Sequence, residues 1–473
     1  MKVKFSINQI SFGTLSRICG GELHQGALGE VYVTHICTDS READAKTAFV
    51  ALRGERVDGH DYIRIALENG CRCVICEHRT PELAASDATS IVVNDTELAL
   101  SRLASAYRRY LSCSFIGVTG SVGKTTAKDL ISSVLAVKQK TYHTPGNHNS
   151  LVGMPLSMLE IPIDTRWAVL EMGMSNFGEV ERLSITAEPE IAVITNVGSS
   201  HMASLGSIEN IRRAKLEILC GLRTGGTLLL NGDDPMLKKI SGKSYRTLYV
   251  SIKRENADFF AKNIRVEPDA TYFDAVWKDG EEKDLCIRVI GRHNVYAALY
   301  AFAIGILSGM TPDQIREGLY TYLPSGMRQH IYPVKGMTFI EDCYNASTES
   351  MIAALDVLSE YGSNVRQRTV AVLGDMLNLG PDSPALHRKV GHHLAQKEIN
   401  ILFALGEGGG QIAIGAWQGK MPVERICQFP DANQIEAIAT RLMETLKEGD
   451  VVLFKASRGL CVERIVALLK ERL

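Results

Sequence analysis

Two glycines, a lysine and a threonine close an apolar run in residues 115–135, FIGVTGSVGKTTAKDLISSVL. The spacing is Gly120-x-x-Gly123-Lys124-Thr125, a tightened form of the phosphate-binding loop, with Val118 where the longer pattern has its first glycine. Glycines let backbone N–H groups turn inward, and a helix N-terminus adds a positive dipole end. Gly120, Ser121, Val122, Gly123, Lys124, Thr125 and Thr126 are therefore the expected nucleotide-binding segment. Lys124 reaches the β- and γ-phosphates, and the Thr125 hydroxyl is placed to ligate magnesium. This is phosphoryl-transfer chemistry, and the open question is which group accepts the phosphoryl.

Three further residues bear on that question. Glu171 closes the apolar segment WAVLEMG and could ligate magnesium, although a cap or a surface acid is an equal reading. His201 follows another apolar segment in ITNVGSSHM; a lone histidine is more often structural than a ligand. Lys215 lies in NIRRAKLEIL, beside two arginines, where a solvated face is the default. Glu171 and His201 could hold a second metal ion, but a cationic lysine would repel it. A carbamate formed from CO₂ on Lys215 would instead supply an anionic ligand.

The supporting elements fall into place around these residues. After the loop, Ala127, Leu130, Ile131, Val134 and Leu135 recur at helical spacing and form one buried stripe. FIGVTG, WAVLEMG, IAVITNVG and TLLLNGDD read as strands alternating with helices, which predicts a mostly parallel sheet. Residues 254–291 read as a β-hairpin insertion whose KDGEEKD run is a solvated turn. From LPSGMR onward, MTFIEDCYN, TVAVLGDM, NILFALG and DVVLFKAS predict a second α/β sheet. Ligands bind at the carboxyl ends of such strands, which singles out Asp342, Asp375, Lys455 and Ser457. LGEGGGQ lacks dinucleotide spacing and reads as a turn.

The 473 residues carry a formal net charge of −2, with 45% hydrophobic and 22% charged residues. This is the profile of a globular protein of about three domains. There is no basic excess to suggest nucleic acid, so local cations must meet any anionic substrate. The first residues, MKVKFSINQISFG, lack a signal-peptide core, and no apolar run reaches the ~20 residues of a membrane helix. A cytoplasmic monomer is expected. The 11 cysteines are scattered and odd in number, which is not a disulfide framework. Cys71, Cys73, Cys76 and His78 in GCRCVICEH could suggest zinc. On a strand, however, the first two would share one face and the last two the other, so core or edge cysteines are expected.

At this point the chain resembles a known family. GVTGSVGKTT, TPGNHNSLVGMPLSML, VLEMGMSNFGEVERL, ITNVGSSHMASLGSIENIRRAKLEI, LNGDDP, GRHNVYAAL, SGMR, DCYNASTESM, LGDMLNLG and FKASRGLCVERIV look like Mur ligases, in order from about residue 38 onward. EMGMSNFGE is similar to the branch that joins D-alanyl-D-alanine to UDP-N-acetylmuramoyl-tripeptide, using ATP and two magnesium ions, by way of an acyl phosphate. TDSR and FVALRGERVDGHDY resemble a UDP-binding domain that folylpolyglutamate synthetase, a relative, lacks.

The resemblance implies three α/β domains. Residues 1–112 would bind the UDP precursor, and 113–323 would form a P-loop-type, mostly parallel ATPase domain. Residues 324–473 would form a Rossmann-like domain that completes the ATP site and binds the dipeptide. It also implies roles. Lys124, Glu171, His201 and Lys215 would be catalytic, the metal ligands being Thr125, Glu171, His201 and Lys215 as a carbamate. His293 and Asn294 would face the nucleotide base, and Arg328, Asp342, Tyr344 and Asn345 would reach ATP. Thr38, Asp39, Ser40, Arg41, Asn147, Asn149, Lys455, Ser457 and Arg458 would serve the other substrates. Departures fall at Ala297, at Ser347 and Thr348, at Asn378 and at Ala456, none of them a phosphate or metal group. The competing readings are a sister ligase that adds a single amino acid and a nucleotide-binding module that has lost catalysis. A simple P-loop hydrolase or kinase is weaker, since it leaves the outer domains unexplained.

Overall fold

The computed structural model describes residues 1–6, 9–26, 32–54, 57–324 and 328–472. Glu55 and Arg56 of FVALRGERVDGHDY, and Ser325–Met327 of LPSGMR, lie outside the described residues. The chain forms two compact units. One is Met1–Val118 with Gln139–Ala192 and Glu217–Thr227; the other is Thr119–Lys138 with Val193–Leu216 and Leu228–Leu473.

The first unit opens with a six-stranded sheet in the order Lys2–Lys4, His35–Cys37, Thr47–Val50, Cys73–Cys76, Thr89–Val92, Glu22–His24. Its inner pairs are parallel and its two edge pairs antiparallel. Thr47–Val50 and Cys73–Cys76 are buried throughout, as expected of strands covered on both faces. The cysteine cluster differs from its expected arrangement. The strand begins only at Cys73, so Cys71 escapes the alternation and packs in one core cluster with Val74 and Cys76. His78 lies beyond the strand and stacks on His60 at 4.5 Å. The same unit holds the parallel run Thr141–His143, Trp167–Glu171, Ser114–Thr119.

In the second unit, helix Lys124–Ala136 buries the whole predicted stripe, from Ala127 to Leu135. It packs against Asn294–Leu307, the most apolar helix of the sequence, and against Pro312–Thr321. Strands Arg246–Ser251, Phe259–Val266, Thr271–Trp277 and Gly280–Ile287 follow one another in a sheet. The predicted hairpin is thus a three-stranded antiparallel meander, and its first strand joins Arg246–Ser251 in parallel. Ser251 and Phe260, the two ends of that parallel join, are buried, so the meander extends the sheet rather than standing apart from it.

The last sheet runs His330–Val334, Met337–Glu341, Val451–Lys455, Thr369–Leu373, Ile401–Leu405, Ile426–Phe429, parallel after the first hairpin. The chain moves outward from Thr369–Leu373 and returns on its other side as Val451–Lys455. This makes a topological switch point, where such sheets bind ligands. One expectation fails here: LGEGGGQ is not a turn but opens helix Gly406–Gln418. Its glycines serve close helix packing. A Cβ at Gly415 would lie 2.1 Å from the Arg388 carbonyl oxygen of helix Ser383–Gln396, and one at Gly408 would lie 2.3 Å from His387 Nε2. Close backbone approach outweighs the poor helix propensity of glycine.

The phosphate-loop helix depends on a similar approach. A Cβ at Gly318 would stand 2.4 Å from Val134 Cα, and Ser133 Oγ donates to the Gly318 carbonyl at 2.7 Å. Gly318→Ala is expected to destabilise the protein by about 1–3 kcal/mol through overpacking, read as a lowered urea midpoint; an unchanged midpoint would show that the two helices can separate freely.

Candidate active site

The phosphate loop is shaped by its neighbours. Gly120 has φ +150, and a Cβ there would fall 1.9 Å from Thr195 Oγ1. Gly123 sits in the left-handed region at φ +79, just ahead of the helix. Thr195 Oγ1 donates to the Val122 carbonyl at 2.6 Å. Asn196 accepts the Val122 N–H on Oδ1 at 3.0 Å and returns a bond from Nδ2 to the Val122 carbonyl at 3.2 Å. The Ser121 N–H donates to the Asn196 carbonyl at 3.1 Å, and the Gly198 N–H donates to Ser121 Oγ at 2.8 Å. Lys124 Nζ donates to the Gly120 carbonyl at 2.9 Å, and Thr125 is buried. Thr195 and Asn196, which shape the loop through these bonds, are positions that the sequence reading did not single out. The available signal was two polar residues directly after the apolar strand Ile191–Ile194.

Lys215 reverses its default reading. In helix Ile208–Leu216 it falls on the buried face with Ile211 and Ala214, and it is 1% exposed. Burial, with the Lys124 ammonium adding to it, pushes its pKa well below the ordinary lysine value. His201 adopts φ 68, ψ 21, a conformation few non-glycine residues hold. Burial, then Lys124, then Lys215 lower its pKa to about 4, so at neutral pH its imidazole is uncharged and free to donate an electron pair. Helix Ile208–Leu216 shows that spacing alone could have found Lys215: positions 211, 214 and 215 share one face.

In the first unit, Glu171 is 1% exposed and pairs in register with Val118, two residues before Gly120. Its carboxylate accepts from Asn149 Nδ2 at 2.8 Å, and its N–H donates to Thr144 Oγ1 at 3.0 Å. Asn147 is exposed beside this network. Asp39 caps the short turn Ser40–Glu42 and accepts from Arg41 Nε at 2.9 Å; hydrogen bonds from Arg41 hold its carboxyl well below the usual range. Ser40 is buried, Thr38 donates through its N–H to the Met1 carbonyl, and the Arg41 side chain is 82% exposed. Among the described residues, no three His, Cys, Asp or Glu side chains gather for a metal ion.

Elsewhere in the second unit, a cleft is lined by Thr126, Asp129, Asn294, Tyr322, Arg328 and Gln329. Asn294 Nδ2 donates to Gln329 Oε1 and to the Ile290 carbonyl, each at 2.9 Å, and His293 is exposed beside it. The Arg328 guanidinium lies 4.2 Å from the Tyr344 ring centroid, a cation–π contact. Lys455, 2% exposed, donates to Asp342 Oδ2 at 2.5 Å and to the Asn345 carbonyl at 3.0 Å, so its charge organises the DCYN turn. Ser457 Oγ accepts the Leu377 N–H at 2.9 Å, and the Arg458 side chain is exposed, 3.5 Å from Glu463. The departures also find structural roles. Ser347 caps helix Thr348–Val365, Asn378 sits at φ 64, where asparagine is tolerated, and Ala297 and Ala456 are buried.

Comparison with known proteins agrees with this layout. Residues 32–108 match the Mur ligase family catalytic domain, 118–305 the Mur ligase middle domain, and 327–458 the Mur ligase glutamate ligase domain. The chain belongs to the Mur ligase family, with its three-domain α/β architecture, and is a ligase. It is 36% identical over 461 residues, 97% of each chain, to the UDP-N-acetylmuramoyl-tripeptide–D-alanyl-D-alanine ligase of Bacillus subtilis. Its fold is similar to a crystal structure of MurF from Acinetobacter baumannii, with TM-score 0.88 and 29% identity, covering 98% of this chain and 100% of that one. It is likewise similar to the MurF ligase of Thermotoga maritima in complex with ADP, with TM-score 0.81 and 29% identity over 92% and 97% of the two chains.

Two outcomes follow from this geometry. Asn196→Ala leaves the Val122 N–H without its acceptor and is expected to weaken ADP binding about tenfold, or ~1.4 kcal/mol, measured by calorimetry; unchanged affinity would relieve Asn196 of any part in the loop. His201 has a folded-state pKa of about 4, below its ordinary 6.5, so the unfolded chain takes up a proton that the native protein refuses. Stability should therefore fall as pH drops from about 6.5 to 4, and His201→Asn should flatten that part of a urea-midpoint profile.

Proposed function

We propose that this chain joins D-alanyl-D-alanine to UDP-N-acetylmuramoyl-tripeptide with ATP, releasing ADP and phosphate. The observation that carries the proposal is the phosphate loop sharing one unit with Lys215, whose burial pushes its pKa well below the ordinary lysine value, and with an uncharged His201. Full-length similarity to ligases of that name supports it. Residues 1–112 would bind the UDP precursor, 113–323 would carry ATP, and 324–473 would complete the ATP site and receive the dipeptide. The protein would act in the cytoplasm as a monomer, where ATP is at hand.

The terminal carboxylate of the tripeptide attacks the γ-phosphorus, ADP leaves, and an acyl phosphate forms. The dipeptide amine, arriving deprotonated, adds to the acyl carbon, and phosphate leaves as the amide forms. Lys124 turns from the Gly120 carbonyl to the incoming phosphates and offsets charge as it builds on the transferred group. Asn149 holds the Glu171 carboxylate in place. The Lys215 amine, its pKa pushed down by burial, would add CO₂ as its free base and release a proton to solvent, becoming an anionic carbamate. The Thr125 hydroxyl, the Glu171 carboxylate and that carbamate are oxygen donors of the kind magnesium takes, and His201 would add a nitrogen; magnesium when bound would supply Lewis-acid stabilisation of phosphate charge. The cleft beside Asn294 and Arg328 suits the base of the nucleotide, and Lys455 and Ser457 hold strand ends at the switch point where the dipeptide would approach.

The test is phosphate release by the purified protein with ATP, magnesium and UDP-N-acetylmuramoyl-tripeptide, with and without D-alanyl-D-alanine. Release should require both substrates and give a UDP-pentapeptide by mass. Release with a shorter precursor and a single amino acid would assign the sister reaction, and rapid ATP hydrolysis by the protein alone would argue against an amide ligase.

A further inference from the structure

His201 is held at positive φ from both sides by the C-terminal part of the chain. On one side is Glu349, in the first turn of helix Thr348–Val365. That helix needs nothing from Glu349 for its own cap, because Ser347 and Ser350 form a reciprocal capping box. The Glu349 carboxylate is turned instead onto another segment. Oε1 accepts the Ser199 N–H at 2.9 Å, and Oε2 lies 3.1 Å from Ser199 Oγ. Ser199 Oγ is also 3.2 Å from Thr348 Oγ1.

The neighbouring residue leaves room for nothing else. A Cβ on Gly198 would stand 2.5 Å from the Glu349 carboxyl carbon, although the Gly198 backbone lies outside the left-handed region and would otherwise accept alanine. The other end of the segment is fixed too. The Ala203 N–H donates to the Asn378 carbonyl at 3.2 Å, and Asn378 holds its own left-handed conformation. Upstream, the Val197 N–H donates to Asp234 Oδ2 at 2.7 Å, and Gly198 is tied to Ser121 of the phosphate loop. A residue in a sparsely populated backbone region persists only where its surroundings over-determine it. Here the contacts at Ser199 and Ala203 supply that determination.

We propose that Glu349 is a positioning residue for His201: its carboxylate, with the Asn378 carbonyl, fixes residues 199–203 and so ties the imidazole and the phosphate loop to the C-terminal domain. This rests on the reading of His201 as a group of the ligase site. A misplacement of about 1 Å in such a group can cost roughly 100-fold in rate, so the contact bears on turnover rather than on nucleotide affinity.

The test compares Glu349→Ala, Glu349→Gln and Gly198→Ala with wild type, after circular dichroism establishes that each folds. Hydrogen exchange is read on the ligand-free protein and amide formation on the complete assay. Glu349→Ala should speed exchange of the Ser199 amide about tenfold and lower kcat roughly 10- to 100-fold with little change in KM for ATP. Gly198→Ala keeps the carboxylate but displaces it and should move both readouts the same way. Glu349→Gln should stay near wild type, since its amide oxygen accepts the Ser199 N–H and its NH₂ donates to Ser199 Oγ. Unchanged exchange in Glu349→Ala, faster exchange without loss of kcat, or equal losses in the Gln and Ala variants would each overturn the proposal. If the wild-type chain formed no amide, the ligase reading would fall, while the exchange comparison would still decide whether the clamp exists.

Discussion

Near Lys124, a buried lysine and a half-buried histidine are pushed towards losing their protons. That constraint organises the site. Lys124 donates to a loop carbonyl, while burial and the proximity of Lys124 push the pKa values of Lys215 and His201 down. In the proposed reaction, the Lys215 amine would take up CO₂ and the His201 imidazole would meet a metal ion. These three groups carry no negative charge of their own, which would suit them to receive polyphosphate. The amide-rich loop around Val122, bonded through Asn196 rather than through an acid, adds polar grip without cancelling that deficit.

The remaining architecture keeps this arrangement from relaxing. Gly318 and Ser133 press a helix onto the back of Lys124–Ala136, so the loop cannot recede. At the other end, Lys455 is neutralised by Asp342 at the switch point, which fixes the turn carrying Tyr344 and thereby the aromatic face under Arg328. Lys455 is thus paired and Arg328 stacked.

Much of this was legible in the sequence, for physical reasons. The phosphate loop and its helix were readable because glycine spacing and a 3.6-residue apolar stripe are local properties. So were the strands, whose buried cores leave unbroken runs of valine, isoleucine and leucine. What escaped depended on distant contacts. Gly406–Gln418 looked like a turn because glycine is a poor helix former, and only the approach of helix Ser383–Gln396 explains why glycine is wanted there. Lys215 looked solvated beside Arg212 and Arg213, although Ile211 and Ala214 marked its face. Asn196 and Glu349 lie inside segments that carry the family resemblance, but neither was singled out, since each acts by meeting a backbone amide far away in sequence.

The strand order of the last sheet carries a consequence for biosynthesis. Val451–Lys455 is last of the six strands in chain order but sits third in space, between Met337–Glu341 and Thr369–Leu373. During translation, the hairpin of residues 330–341 must wait as an unpartnered edge for more than a hundred residues before its parallel neighbour exists. Long-range parallel pairing is slow, and exposed strand edges invite association with other chains. Lys455, the counter-charge for Asp342, arrives with that same strand. A nascent or truncated chain therefore holds the phosphate loop but lacks the Asp342–Lys455 ion pair, so that pair and the covering of the strand edge come together, in one late insertion event.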